Sequence, residues 1–502
     1  MAKATSAPLG KTAYLNHISG EWVESGSSDT YLVRNPANTD DIVGVFQKSN
    51  REDVRKAIDA AQEAFDPWRE MTPPKRGAIL YKAWSKMSER VEQFASAMTR
   101  EEGKTIRDSR GEAKACLNIL EYFAAEGRRI LGETAPSELP NYFTYTIRKP
   151  LGVVAAISPW NFPLSEPVRK IAGAIVCGNT VVAKPATITP LSSIMFVQLL
   201  EEAGLPKGVV NLVTGPGSLI GEELATNPMV KGISFTGSSE VGLQLNRRAA
   251  EHLKKVQAEM GGKNPVVVMD DADLDLATEG IVQGAFGSTG QRCTCTSRVI
   301  VTPGIRDKLV EKVVERTKQF KVANGMREDA DMGPLSSSEQ FEKVNEYVKI
   351  GRGEGARLIH GGNVLKGQEF DKGYFVEPTI FTDVKPEMRI AQEEIFGPVL
   401  AFMDAHDFSE AVDVANGVQF GLAASIYCND LSTCQKFVNK IDVGLVHINN
   451  PTVGGEAQLP FGGLKASGIG PHEFGLASVE FFTDKITVFV DYSGRKREAK
   501  FI

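Results

Sequence analysis

Apolar residues recur along this chain in two rhythms. Behind "FQKSNRED", Val54, Ala57, Ile58, Ala61 and Phe65 fall on one face of a 3.6-residue repeat, which predicts a helix. Ser49 and Glu52 make a capping-box pattern at its start, and Pro67 marks its expected end. Longer helical patterns fill about 75–130. From 150 the rhythm changes. Short apolar runs ("LGVVAAIS", "NTVVAKPA", "GVVNLVTG", "VKGISFTG", "KKVQAEMGG") alternate with helical stretches such as "SEPVRKIAGAIVCG" and "SSIMFVQLLEEAG". Strands that are apolar throughout and separated by helices indicate a parallel sheet covered on both faces. Such sheets bind ligands beyond the carboxyl ends of their strands. A second α/β run extends from "NPVVVMDDADLDLATEG" to about 465. Two segments, 136–149 and 482–491, read as β-ribbon with too few partners of their own, and are expected to pack elsewhere, another subunit included. There is no internal repeat and no low-complexity linker.

With 502 residues there is room for two or three cores. A hydrophobic share of 42% and a charged share of 24% fit an ordinary globular protein. The mild net charge of −6 argues against a nucleic-acid partner or an anionic membrane surface. No apolar run is long enough for a membrane span, and the first residues show no apolar core of a secretory signal. The cysteines are scattered rather than framed as disulfides, so a reducing, cytoplasmic setting is expected.

Candidate chemistry clusters where strands run into loops. Asn161, in "SPWNFP", sits in a rigid turn from which its amide can donate to an oxyanion; asparagine also simply favours turns. Lys184, in "VVAKPA", ends a buried strand, where it can reach a ribose or phosphate or else snorkel to the surface. "FTGSSEVG" places Gly237 and Ser238 at a helix N-terminus, a ready anion site, though Ser238 suits plain capping equally. It is not the G-x-G-x-x-G fingerprint. Glu259, in "QAEMGGKNP", is a candidate general base if partly buried, and a solvated loop residue otherwise. In "GSTGQRCTCTSRVIV", Cys293 and Cys295 lie in a small-residue loop suited to an activated thiol. No second Cys/His pair lies nearby to complete a zinc site, and no G-x-S-x-G is present.

Taken in order, "SPWNFP", "VVAKPA", "FTGSSEVG", "EMGGKNP", "GQRC", "EEIFGPV" and "PFGGLKASGIG" resemble the aldehyde dehydrogenase superfamily over about residues 14–490. The combination of "STGQRCTCTSRVIV" with "PFGGLKASGIGPHEFG" looks most like the α-ketoglutaric semialdehyde (2,5-dioxopentanoate) dehydrogenases, with succinate-semialdehyde dehydrogenases as the near alternative. The resemblance implies a Rossmann-type cofactor domain over 1–130 and 150–261, and a catalytic α/β domain over 262–465. It also implies oligomerisation segments at 131–149 and 466–502, hence a homodimer or homotetramer. It assigns Cys293 as nucleophile, Glu259 as base and Asn161 as oxyanion donor. Lys184 and Thr187 fall at the adenosine ribose, and Gly237 and Ser238 at the pyrophosphate. Trp160, Glu394 and Phe396 fall around the nicotinamide end. Cys295 stands where the family needs no thiol.

Two departures bear on specificity. NAD-preferring members often carry Glu three residues after the lysine, where this chain has Thr187. That removes repulsion against a 2′-phosphate, so NADP is expected to be accepted and preferred over NAD. Arg169 lies at a substrate-tunnel position where arginine suits a distal carboxylate. Some relatives carry a second arginine at the position of Gly287; here Arg292 is the expected substitute. A broader-specificity aldehyde dehydrogenase and a thiol hydrolase or acyltransferase remain as other readings.

Overall fold

The computed structural model describes residues 4–7 and 11–494. Residues 1–3, 8–10 and 495–502, parts of the 1–130 and 466–502 stretches, lie outside the described residues. The apolar runs after 150 form an eight-stranded sheet. From one edge its strands are Gly468–Ile469, Lys255–Glu259, Val230–Thr236, Val153–Ile157, Thr180–Lys184, Val210–Leu212, Asn16–Ile18 and Glu21–Val23. The five strands between 153 and 259 run parallel, and the outer pairings are antiparallel. Alternate side chains feed two cores: Val154 and Val181 enter one, while Val153, Ala155 and Val182 enter the other. This explains the unbroken apolar runs, because neither face meets water.

The second α/β run forms a seven-stranded sheet, parallel except at the Arg357–His360 edge. It too is buried on both faces, with Val267 on one side and Val266 and Val268 on the other. The two ribbon segments pair with each other: Tyr142–Pro150 runs antiparallel to Thr483–Asp491, with Thr134–Ala135 at the edge. Their exposed residues include Phe143, Ile147, Ile486 and Phe489. A further sheet, formed by segments between residues 4 and 47, has no counterpart in the sequence expectation.

The first helix departs from expectation at both ends. It spans Arg51–Glu70, and its capping box is Asn50 with Asp53, not Ser49 with Glu52. Ser49 is occupied elsewhere: its hydroxyl accepts from Asn16 Nδ2 at 2.8 Å, and its amide donates to Thr214. Pro67 lies inside the last turn rather than ending the helix. Trp68 holds that turn in place, being buried and donating through Nε1 to the Ile175 carbonyl at 3.1 Å. The long pattern at 75–130 resolves into three helices, Pro73–Ser88, Val91–Glu102 and Ile106–Glu126.

Among the described residues no helix is long and apolar enough to cross a membrane.

Candidate active site

Strand order in the first sheet reverses at Val153–Ile157. The chain proceeds from there to Thr180–Lys184 on one side, and later to Val230–Thr236 on the other. Beyond the carboxyl ends at such a switch point, the connecting loops diverge and leave a crevice. Here those loops are the ones carrying Trp160 and Asn161, and Gly237 and Ser238. They line a cavity of about 310 Å³ together with Cys293, Glu394 and Phe396. Ser238 is the N-cap of the Ser239–Ala250 helix and accepts from the Val241 amide at 3.4 Å. Trp160 and Phe396 meet edge to face at 5.2 Å.

Cys293 is delivered by an unusual backbone. Ser288, Thr289 and Gly290 all have positive φ, at 49°, 59° and 65°. Left-handed non-glycine residues store strain and persist only where the surroundings fix them. The surroundings do so here. Thr289 Oγ1 donates to the Gly333 carbonyl at 3.1 Å, and Gln291 Oε1 accepts from the Ser336 amide at 3.0 Å. Gly290 packs so closely that a Cβ there would stand 2.3 Å from the Gly397 oxygen. Asn264 then pins the cysteine stretch: its Nδ2 donates to the carbonyls of Cys293 and Cys295 at 2.8 and 2.9 Å. Its Oδ1 accepts from the Ala423 amide at 3.0 Å. One asparagine thus ties the thiol loop to two strands of the second sheet.

Burial pushes the Cys293 thiol well up, with the Glu166 charge adding and Arg169 opposing, so a base is needed to ionise it. Cys295 is buried, its thiol pushed up by burial to about 11, and its Sγ faces the Gly287 carbonyl at 3.9 Å. Glu259 ends its strand and is nearly fully buried. Burial and the neighbouring Glu473 raise its carboxyl well above the usual range. It does not line the cavity; its Oε2 accepts from the Gly463 amide at 3.1 Å. Glu394 accepts from the Gly262 amide at 2.8 Å. Gln340 Nε2 donates to the Ile395 and Phe396 carbonyls at 2.9 and 2.7 Å, holding Phe396 at its positive φ of 61°.

Lys184 and Thr187 stand apart from this cavity, beside a second one of about 430 Å³ between the Gly217–Thr226 and Ser239–Ala250 helices. The Lys184 ammonium lies 3.7 Å from where a Gly217 Cβ would be. It has no hydrogen-bond or ion-pair partner among the described residues, and burial lowers it to about 8. Thr187 Oγ1 donates to the Gly215 carbonyl at 3.0 Å. A buried unpaired cation, a glycine-lined groove and a helix N-terminus suit the ribose and phosphates of a dinucleotide.

The two arginines expected to read a carboxylate are not open forks. Arg169 is buried, ion-paired with Glu166 at 2.6 Å and with Glu473, and stacked on Phe461 and Phe474 at 5.1 and 5.0 Å. Lys170 closes the cluster by pairing with the same two carboxylates. Two buried cations call for two anions, and the chain supplies both itself. Arg292 is half-buried, pairs with Asp108 at 2.8 Å and donates to Ser288 Oγ. Its guanidinium nitrogens lie 3.5 Å from a Cβ built on Gly287. It therefore fills space that a side chain at Gly287 would enter.

Comparison with known proteins agrees with this geometry. Residues 22–488 match the model of the aldehyde dehydrogenase family. The chain belongs to the aldehyde dehydrogenase family. It is 48% identical over 480 residues to the α-ketoglutaric semialdehyde dehydrogenase of Bacillus subtilis, covering 96% of this chain and 98% of that one. It is 44% identical to the 2,5-dioxopentanoate dehydrogenase of Saccharolobus solfataricus, covering 94% and 98%. The crystal structure of a Staphylococcus aureus betaine aldehyde dehydrogenase with NAD+ superposes with a TM-score of 0.94 at 35% identity, covering 96% of this chain and 95% of that one. This aldehyde dehydrogenase is an enzyme of NAD(P)-dependent aldehyde oxidation. Sequence reasoning missed Asn264 and Gln340. Asn264 lies within "EMGGKNP", so its motif was visible though its task was not.

Proposed function

We propose that this aldehyde dehydrogenase oxidises an aldehyde carrying a distal carboxylate, 2,5-dioxopentanoate to 2-oxoglutarate, with NADP preferred over NAD. The reading is supported above all by the shared cavity of Cys293, Asn161 and the Ser238 helix N-terminus. Glu259 takes the thiol proton through water, and Cys293 adds to the carbonyl. The Asn161 amide, with the Cys293 backbone N–H, binds the oxyanion; losing one such donor commonly costs about 2.7–4 kcal/mol. NAD(P)+, when bound, supplies the hydride acceptor, held by Lys184, Ser238 and Gly237 at one end and by Glu394, Phe396 and Trp160 at the other. Glu259 then activates the water that hydrolyses the thioester on Cys293.

Both α-ketoglutaric semialdehyde relatives favour the substrate assignment. So does a cavity of about 430 Å³ that reaches Phe474, the ring on which Arg169 stacks. Arg169 and Arg292 are the residues proposed to read the carboxylate, exchanging one internal partner for it. The exposed ribbon of Phe143 and Phe489 favours a homodimer or homotetramer, and six free cysteines favour a reducing cytoplasm.

A panel of aldehydes assayed with each cofactor tests the reading. The expected result is highest kcat/KM with 2,5-dioxopentanoate and NADP, a shift toward NAD in Thr187→Glu, and no turnover in Cys293→Ala. Arg169→Ala and Arg292→Ala should raise KM for acidic semialdehydes far more than for neutral aldehydes. A best rate with succinate semialdehyde would reassign the substrate. Ester hydrolysis without cofactor reduction would make the protein a thiol hydrolase.

A further inference from the structure

Beneath the Asn161 loop lies a buried charge cluster that the proposed reaction does not use. Lys104 is 1% exposed. Its ammonium donates to the Asn161 carbonyl at 2.5 Å and to Glu112 Oε2 at 2.8 Å. It also stands 4.4 Å from the centre of the Phe162 ring and 3.9 Å from Glu102. Glu112 uses its other oxygen, Oε1, to accept from the amides of Leu164 and Ser165 at 3.0 and 2.8 Å. One ion pair therefore grips both ends of the stretch from Asn161 to Ser165. Both of its members come from the helical layer, Lys104 from "EEGKT" and Glu112 from the Ile106–Glu126 helix.

A buried ion pair is a poor way to gain stability, since well-packed apolar residues of similar volume commonly do as well or better. The cationic end of this one meets the backbone carbonyl of the residue whose side chain lines the cavity beside Cys293. Charge-assisted hydrogen bonds are short and directional. Fixing the Asn161 peptide plane fixes the direction of its Cα–Cβ bond, and so narrows where the amide can lie. An oxyanion donor works only when held within hydrogen-bond reach of the oxygen as charge develops.

We propose that Lys104, clamped between Glu112 and the Asn161 carbonyl, is a positioning residue for the oxyanion-binding amide; this rests on the oxyanion reading of Asn161. Three readouts on Lys104→Met separate positioning from folding. Aldehyde oxidation and p-nitrophenyl ester hydrolysis both pass through a tetrahedral oxyanion. Alkylation of Cys293 by iodoacetamide does not. The expected result is a 10- to 100-fold fall in kcat for both acyl reactions, with alkylation rate and cofactor Kd within threefold of wild type. On an Asn161→Ala background the same substitution should cost less than threefold. Equal losses in alkylation and oxidation, additive losses on the two backgrounds, or full activity would overturn the proposal. If Asn161→Ala alone keeps wild-type kcat, the oxyanion reading itself fails. Glu112→Gln, which keeps an acceptor for Leu164 and Ser165, is read in the same way should Lys104→Met not fold. Failure of both to fold would assign the pair to the fold and not to the amide.

Discussion

Glu259 shows how one residue's surroundings set its chemistry. Its carboxyl is buried beside Glu473, and both effects favour the protonated form. A base with a raised pKa is lost at higher pH than an ordinary glutamate. The acid limb of kcat should therefore lie above the usual carboxylate range, with activity rising as pH increases through it. Glu259→Gln should remove that limb and lower kcat by about 10²- to 10⁴-fold, the usual contribution of a positioned base. A pH–rate profile by stopped flow checks this; a limb that survives the substitution assigns it to another group. Cys293, Asn161 and Glu259 stood out in sequence because each lies in a short distinctive motif at or beside the end of a strand. Lys104 could not. Its partner Asn161 is 57 positions away, and no local spacing encodes that meeting. The open forks expected for Arg169 and Arg292 failed for a related reason. Glu473 and Asp108 are distant in sequence, and only Glu166, three residues before Arg169, was a partner that local spacing could show.

Among elements, the cysteine turn depends most on its supports. Three successive left-handed residues would relax if released, and Asn264 is the link that holds the far end. Asn264→Ala leaves two carbonyls and the Ala423 amide without partners. Each buried group so exposed costs about 1–3 kcal/mol. Thermal or urea unfolding should show a loss of that order, and a displacement near 1 Å at Cys293 should cost about 10²-fold in kcat. A variant that loses stability but keeps kcat would confine Asn264 to the fold. Element type was readable where apolar runs were long, as in Val153–Ile157 and Thr180–Lys184. Boundaries were not. "SNRED" offers two overlapping capping boxes, and the choice between them was made by Asn16, which takes the Ser49 hydroxyl. The sheet between residues 4 and 47 escaped notice because two of its strands have four residues each and the longer two, Thr30–Asn35 and Asn38–Gln47, mix polar with apolar positions.

At the scale of the whole molecule, the ribbon of Tyr142–Pro150 and Thr483–Asp491 leaves aromatic and aliphatic side chains in water. Phe489 is 68% exposed and Phe143 49%. An exposed apolar face on an edge-bearing sheet is normally covered by a partner. Phe489→Glu combined with Phe143→Glu should shift the sedimentation coefficient to that of a monomer. An unchanged coefficient would place the assembly surface elsewhere.

The Gly468–Ile469 strand has a consequence for how the molecule is made. It closes the edge of the first sheet against Lys255–Glu259, and Glu473 follows it to neutralise Arg169 and Lys170. Synthesis delivers the amino-terminal strands first. A ribosome that has released everything up to residue 460 holds both sheets nearly entire, yet the Glu259 strand has a bare edge and two buried cations share Glu166 alone. The edge strand and the second anion arrive only with residues 468–473, a long-range pairing of the kind that slows folding. The strand that carries Glu259 thus gains its last neighbour only after every other strand of its sheet has been made.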